Sequence, residues 1–322
     1  MHRRALLAAA GATLAAPGLG APAWPNGPVR IVATFVPGGA NDLLGRFAAD
    51  VLGRAFGQPF VVENRPGAGG NVGLEAVARA APDGQTLGVA AGAAAINQTL
   101  YRNLSFDLLR DFAPVTLLGA VPNVLAVSLD TPAQSAAAFV RLARMTPGGI
   151  TYGSAGIGTI PHLTMAMFLH AIGAPPGVHV PYRGSTPAVT DLVAGRVQAL
   201  FENLPPLAAQ MRAEKVRALA ISTAERHPDW PDLPTAAEAV PLPGFEVTAW
   251  QSLLAPAGTP PAIVAAIAEA IRAALATEEG AAPVRRIGAL PRPMTPDQFG
   301  AFLRTEVAKW ADAVRLTGAT VE

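Results

Sequence analysis

The chain has 322 residues, of which 51% are hydrophobic, 15% charged and 6% aromatic, and 24 Lys/Arg against 23 Asp/Glu leave a net charge of +1. That length suits two domains of ~100–200 residues with a core in each, and the apolar content excludes a disordered chain. The even charge balance excludes the clustered cations that a nucleic-acid backbone requires, and the absence of cysteine excludes disulfides, thiolate metal sites, Cys nucleophiles and acylation at Cys.

The chain opens on the basic Met1-His2-Arg3-Arg4, continues as an uncharged Ala/Leu/Gly run from Ala5, and closes that run with Ala21-Pro22-Ala23. A cationic start, an apolar centre and a small-x-small end are what a signal peptidase reads, so residues 1–23 are expected to be a cleaved signal peptide. Gly11, Pro17, Gly18, Gly20 and Pro22 interrupt the run too often for a membrane-spanning helix. Arg3-Arg4-Ala5-Leu6-Leu7 resembles a twin-arginine signal, but His2 ahead of it is atypical, so Sec and twin-arginine export both stay open. Two later uncharged stretches do not span a bilayer either. Residues 84–101 carry Gln85, Thr86, Asn97, Gln98 and Thr99, and residues 112–129 are cut by Pro114 and Pro122. The mature protein is expected to be soluble and exported.

Short β-like runs then alternate with longer helical patterns. Strands are predicted at Val29–Val36, Phe60–Glu63, Thr86–Ala90, Val115–Leu118, Val124–Ser128, Gly149–Tyr152, His179–Pro181, Val197–Phe201, Val216–Ser222 and Val247–Leu254. Their continuous apolar, β-branched character suits a parallel sheet covered on both faces. Helical spacing falls in Asp42–Phe56, Val72–Ala80, Ala133–Met145, Leu163–Ile172 and Pro187–Ala194. Two C-terminal helices, Pro260–Ala276 and Pro296–Thr317, each start on a proline, whose missing N–H costs nothing in a first turn. This alternation predicts βαβ units and an α/β fold. The pattern runs once before about residue 119 and again after residue 122, so two lobes are expected, with the chain crossing near 120–123 and near 245–250.

Three loops follow predicted strands at the end where open α/β sheets take ligands. In Phe35-Val36-Pro37-Gly38-Gly39-Ala40-Asn41-Asp42, the glycines let the backbone come close to a ligand, and Asn41 or Asp42 can cap the helix whose first N–H groups face the site. Read alone, this loop is equally an ordinary strand–turn–helix connection. Tyr152-Gly153-Ser154-Ala155-Gly156-Ile157-Gly158-Thr159-Ile160-Pro161-His162 forms a second amide-rich anion pocket, with hydroxyls from Ser154 and Thr159. His162 reads as a structural hydrogen-bonder rather than a base, because no partner is in sight. In His179-Val180-Pro181-Tyr182-Arg183-Gly184-Ser185, Arg183 either clamps a carboxylate or is simply solvated.

Enzyme machinery is missing from the sequence. Gly67–Gly73 spaces its glycines as GxGxxxG, one residue off the dinucleotide fingerprint, and Gly153–Gly158 gives GxxGxG, one short of the short-chain dehydrogenase pattern. Tyr101, Tyr152 and Tyr182 are followed four residues on by Ser105, Gly156 and Thr186, so no Tyr-xxx-Lys pair exists. Ser154 has Tyr152 where a nucleophile elbow needs Gly. His2, His162, His170, His179 and His227 show no metal-ligand spacing.

Val29-Arg30-Ile31-Val32 leading into Pro37-Gly38-Gly39, and then Val61-Val62-Glu63-Asn64-Arg65-Pro66-Gly67-Ala68-Gly69-Gly70-Asn71, closely resemble the Bug family, the TctC-like substrate-binding proteins of tripartite tricarboxylate transporters. The likeness continues through Ala81–Leu87, Asp111–Val115, His179–Gly184, Leu253–Pro260 and Glu306-Val307-Ala308-Lys309-Trp310, and so covers nearly all of the mature chain.

The resemblance implies a two-lobed periplasmic binding protein (type II-like, Venus-flytrap), each lobe a mostly parallel sheet flanked by helices. It would close on a small organic acid and deliver it to a tripartite tricarboxylate-type transporter or a sensor kinase. Lobe 1 is expected over residues 24–120 plus 250–290 and lobe 2 over 121–249, with 291–322 a C-terminal helix packing across both. In the family, backbone groups of the loop after the first strand and of the later Gly/Ser loop hold one carboxylate, partly through bridging waters. Here those loops are Phe35, Gly39, Ala40, Asn41 and Asp42, and Ser154, Gly158 and Thr159. In this light Gly67–Asn71 is a structural turn near the site, and Asp42 organises its loop rather than acting as an acid.

Two departures bear on the ligand. Relatives carry hydroxyls in a TSGxHAIN-like stretch where this chain has Ala90-Ala91-Gly92-Ala93-Ala94-Ala95-Ile96-Asn97, which suggests a less polar distal pocket. Relatives also show Phe-Asp-Asn where this chain has Phe201-Glu202-Asn203, and Glu202 either pairs with a ligand amine or faces the hinge. Gly92, Ala93, Ala94, His162, Arg183, Glu202 and Asn203 therefore complete the expected ligand-binding set. A monomer without catalytic residues, cofactor, metal or nucleic-acid partner is implied; the alternative is an α/β dehydrogenase or hydrolase using the Gly-rich loops.

Overall fold

A computed structural model describes residues 24–321, and the signal peptide expected over residues 1–23 lies outside the described residues. Its strands are β1 (Val29–Ala33), β2 (Phe60–Asn64), β3 (Thr86–Ala91), β4 (Phe112–Val127), β5 (Thr151–Ser154), β6 (Val178–Pro181), β7 (Ala199–Asn203), β8 (Arg217–Ile221), β9 (Thr248–Pro256) and β10 (Leu290–Pro291). The α-helices are α1 (Ala40–Phe56), α2 (Asn71–Ala78), α3 (Ala93–Leu100), α4 (Ala136–Met145), α5 (Ile160–Ala171), α6 (Ser185–Val193), α7 (Leu204–Arg212), α8 (Ala236–Ala239), α9 (Pro261–Leu275), α10 (Glu278–Arg286) and α11 (Pro296–Thr317).

Two groups of strands share β4. In the first, β2, β1 and β3 run parallel, β9 joins β3 antiparallel, and the first half of β4 pairs with β9 and β10. In the second, the last residues of β4 lie between β7 and β8, with β5 parallel to β7 and β6 parallel to β5. The parallel strands are the βαβ part of each lobe. The antiparallel partners arise where the chain goes out along β4 and returns along β9.

Each lobe is a sheet between helix layers. One face of the first sheet packs on α1 and α9, through Leu44, Phe47, Ala48, Val51 and Leu52 against Val264, Ile267, Ala268 and Ile271. The i, i+3, i+4, i+7 spacing on α1 forms the stripe that meets the sheet. The other face packs on α2, α3 and α11, and the second sheet lies between α4/α5 and α6/α7. Two-sided cover explains why β3 is buried at all six positions and reads as an unbroken apolar run.

The predicted strands Val115–Leu118 and Val124–Ser128 are one 16-residue strand. Pro122 does not break it, because Pro122 stands opposite Thr248 at the last rung shared with β9, and the ladder passes at Asn123 to Asn203 of β7. Pro114 sits at a register shift of the same ladder. A proline without an N–H is tolerated at both places. Four helices were not legible: α3 opens on three alanines and is only eight residues long, α7 has Pro205-Pro206 in its first turn, α8 has only four residues, and α10 contains Pro283.

At the crossover, Asn123 N–H donates to Ser222 Oγ at 3.0 Å, Ser222 N–H to the Asn123 carbonyl at 2.9 Å, and Val247 N–H to the Ser222 carbonyl at 2.9 Å. α11 begins with a Thr295/Gln298 capping box and packs on α3 and α5. Its buried Glu306 accepts from the indoles of Trp250 at 2.7 Å and Trp310 at 2.9 Å. No helix among the described residues is long and apolar enough to cross a membrane.

Candidate functional site

β1, β3 and β5 each end in a short turn and hand over to a helix, so the N-termini of α1, α3 and α5 gather at one edge of the two sheets. The first amides of an α-helix have no acceptor within the helix, and its dipole favours negative charge there. Three such ends at one edge are an arrangement that can hold an anion through backbone amides.

The residue that precedes α1 is Gly39, in an extended conformation and with no side-chain cap. Asn41 and Asp42, expected as caps, lie inside the first turn, where their side chains reach backward to the preceding strand and loop. Asn41 accepts from Thr34 N–H at 2.8 Å and donates to the Val89 carbonyl at 3.0 Å and to Gln251 Oε1 at 2.9 Å. Asp42 accepts from Gly38 N–H at 2.9 Å and from Asn64 Nδ2 at 3.0 Å, and pairs with Arg46 at 3.0 Å. Burial pushes its carboxyl up, and the bonds from Arg46, Gly38 and Asn64 outweigh that, leaving it below the usual carboxylate range. Asp42 is thus an ionised loop organiser. Phe35 is half-buried and its carbonyl accepts from Asn64, while Val36–Gly39 are exposed.

The second loop is organised in a similar way. Buried Ser154 accepts from Gly156 N–H at 3.1 Å and lies 2.7 Å from His179 Nε2. Thr159 Oγ1 donates to the Gly156 carbonyl at 2.7 Å, and Gly158 N–H donates to His162 Nδ1 at 3.1 Å. Ser154 and His179 are a hydroxyl–imidazole pair that the sequence tests did not find, being 25 residues apart. Ser154 is 0% exposed and bound by its own loop, a poor placement for a nucleophile.

The two lobes approach at glycines. A Cβ on Gly92 would come within 2.9 Å of Ile160 Cδ1, and one on Gly158, whose φ is +72°, within 2.6 Å of Leu100. The start of α3 therefore faces the start of α5, with Gly92, Ala93 and Ala94 opposite Gly158 and Thr159. The Gly92 N–H is used by the Trp250 carbonyl at 3.0 Å.

Glu202 and Asn203 end β7, beside the Ser154–Thr159 loop. Glu202 is 0% exposed; Asn203 N–H donates to its Oε1 at 2.8 Å, and its Oε2 has no partner. Burial pushes its carboxyl up to about 7, against the bond from the Asn203 amide. Asn203 Oδ1 and both side-chain polar atoms of Asn123, its partner across the ladder, are likewise buried without partners. Arg183 lies apart from these groups in one respect: it is exposed and takes part in none of the described ion pairs. His179 and Asn123 had no assigned place in the expected site. Asn123, a polar residue inside the apolar run Val121–Val127, was the readable signal.

The family model described as "Tripartite tricarboxylate transporter family receptor" matches residues 44–318. "Protein BugT" of Bordetella pertussis is 35% identical over 328 residues, covering 100% of both chains. The solved structure "R. palustris Rpa4515 with adipate" is 35% identical, with a TM-score of 0.76 over 92% of this chain and 98% of that one. "MatC (Rpa3494) from Rhodopseudomonas palustris with bound malate" is 33% identical, with a TM-score of 0.71 over 90% of this chain and 100% of that one.

Proposed function

This chain belongs to the tripartite tricarboxylate transporter receptor family, a family of two-lobed solute-binding proteins, and we propose that its own solute is a small organic dicarboxylate bound between the lobes. The observation that carries this reading is the meeting of three helix N-termini across the cleft, at Gly39–Asp42, Gly92–Ala94 and Gly158–His162. One carboxylate takes amides from the first and third of these. The similar proteins named with adipate and malate support a ligand of this class.

The ligand contacts both lobes at once and so favours the closed form over the open one. Residues 24–120 with 250–290 form lobe 1, residues 121–249 form lobe 2, and residues 291–322 run across both. The hinge is β4 near Asn123, laced to Ser222 and Val247. Glu202, Asn203 and Asn123 line the distal end, and Arg183 stands at the rim. The receptor acts in the periplasm after Sec or twin-arginine export of a precursor carrying residues 1–23, as a monomer that hands its ligand to membrane components or a sensor. It does so without catalysis.

Each charge-assisted hydrogen bond to a carboxylate contributes ~1.5–3 kcal/mol, so several of them, less the cost of closure, reach the ~8 kcal/mol of micromolar binding. A thermal-shift screen of the chain from Trp24 onward against adipate, malate, amino acids, nicotinate, aromatic acids and NAD(P) tests the reading. A ligand at a hundred times its Kd adds ~2.7 kcal/mol, a rise of several degrees. A shift with dicarboxylates is expected; silence from every acid with a shift from NAD(P) overturns the receptor and favours the enzyme.

A further inference from the structure

A cavity of about 480 Å³ lies against the Ser154–Thr159 loop. Its lining includes no residue of the Phe35–Asp42 loop and none of Gly92–Ala94, and it shares with the expected site only His162. Three of the five histidines line it, His162, His170 and His179, together with Tyr152 and the tail Leu316–Thr320.

Tyr152, His179 and His162 form one stack. The Tyr152 and His179 ring centres are 5.1 Å apart with planes 21° from parallel, and His179 and His162 are 3.9 Å apart with planes at 7°. Both imidazoles reach from the cavity into the loop. His162 Nδ1 accepts from Gly158 N–H, and His179 Nε2 meets Ser154 Oγ, which accepts from Gly156 N–H. A protonated imidazole has no acceptor nitrogen, so charging His162 removes the partner of the Gly158 amide. Two imidazolium rings at this separation also repel.

We propose that His162 and His179 are positioning residues for the ligand carboxylate: a neutral stacked pair that holds the Ser154–Thr159 turn in its ligand-binding arrangement, through the Gly158 amide and Ser154 Oγ, and lets the turn go when His162 is protonated. The proposal rests on the reading that this loop takes the carboxylate. The groups facing the pair do not oppose it. Tyr152 on β5 and His170 on α5 are the other titratable residues lining the cavity, and the tail from α11 contributes Leu316, Thr317, Gly318, Ala319 and Thr320, none of them charged. Burial, with the neighbouring His179, keeps His162 neutral down to about 4, and burial likewise lowers His179.

Four variants separate holding from packing. H162N and H179Q keep an acceptor near the lost ring nitrogen, whereas H162F and H179F keep a flat ring without one. Adipate affinity is measured by calorimetry at pH 7.5, and amide exchange of Gly156 and Gly158 by NMR in the unliganded protein. H162F and H179F are expected to weaken adipate binding tenfold or more and to speed exchange at least tenfold, with H162N and H179Q within threefold of wild type. Wild-type affinity, divided by that of the H162N/H179Q double variant at the same pH so that protonation of adipate itself cancels, is expected to fall as pH drops from 7.5 through 4. Equal exchange rates in the Phe variants and wild type would overturn the proposal. Should the Phe variants fail to fold by circular dichroism, the pH profile of Gly158 exchange decides: a wild-type profile identical to that of H162N overturns it. If adipate binds nothing, the dicarboxylate reading fails there, and the exchange rates still judge the histidine pair.

Discussion

Asn41 and Gln251 lie 210 positions apart in the chain and share a hydrogen bond of 2.9 Å, from Nδ2 to Oε1. The bond fastens the first turn of α1, whose amides face the cleft, to β9, the strand that returns from the second lobe. Asn41 also satisfies the Thr34 amide and the Val89 carbonyl, so all its bonding capacity on this side is spent on rigidity.

Replacing Asn41 with alanine leaves the Thr34 amide and Gln251 Oε1 without a partner, while the Val89 carbonyl keeps the Thr34 hydroxyl. Each such group costs ~1–3 kcal/mol, and with partial relaxation a loss of about 2–4 kcal/mol is expected in urea unfolding. A loss below about 0.5 kcal/mol would show that this bond does not hold the loop.

Gly39 has an ordinary backbone (φ −82°, ψ 169°), and a Cβ there would have only the Val36 carbonyl near it, at 3.9 Å. Gly39→Leu is therefore expected to fold with wild-type stability while its side chain fills the space over the α1 amides. Adipate affinity by calorimetry should drop at least a hundredfold, and unchanged affinity would remove this loop from the site.

Gly158 is tight in a different sense, since a Cβ there meets Leu100 of the other lobe. Gly158→Ala should hinder closure, seen as weaker adipate binding and a larger radius of gyration at saturating ligand in X-ray scattering. Shortening the obstacle with Leu100→Ala should recover part of the affinity. No recovery would mean that the backbone at φ +72° matters more than the contact.

How much of this could be read from the sequence depends on where the physics is local. The loops at Phe35–Asp42 and Ser154–Thr159 were legible because glycine-rich turns between an apolar run and a helical stripe carry their own signal. β4 was not, since whether Pro122 breaks a strand depends on its position in a ladder fixed by the distant Thr248 and Asn203. The start of α3 was read only through family likeness, because Gly92-Ala93-Ala94-Ala95 carries no polar side chain to mark a face. His179 stayed silent for a similar reason: its value lies in meeting His162 and Ser154 across β5, β6 and α5, a contact that no spacing encodes.

Two buried groups give stability opposite slopes with pH. His162 titrates from 6.5 in an unfolded chain to about 4 when folded, so its contribution is present above pH 6.5 and is lost as pH falls through 4. Glu202 rises from 4.5 to about 7, so its contribution is present below pH 4.5 and is lost as pH rises through 7. Each change is of order 3 kcal/mol. Urea unfolding from pH 4 to 8 should show Glu202→Gln stabilised relative to wild type at pH 8, by about 1–3 kcal/mol, and His162→Asn relieved of its loss on the acid side. Profiles parallel to wild type in both variants would mean that neither group titrates in these windows.

A crystal structure of the chain from Trp24 onward with adipate addresses the binding mode directly. One carboxylate is expected within hydrogen-bonding distance of amides from Gly39–Asp42 and of the Ala155 or Ile157 amide, directly or through one water, with the rest of the ligand running toward Asn203 and Asn123. Adipate bound with both carboxylates away from these two loops would contradict the site.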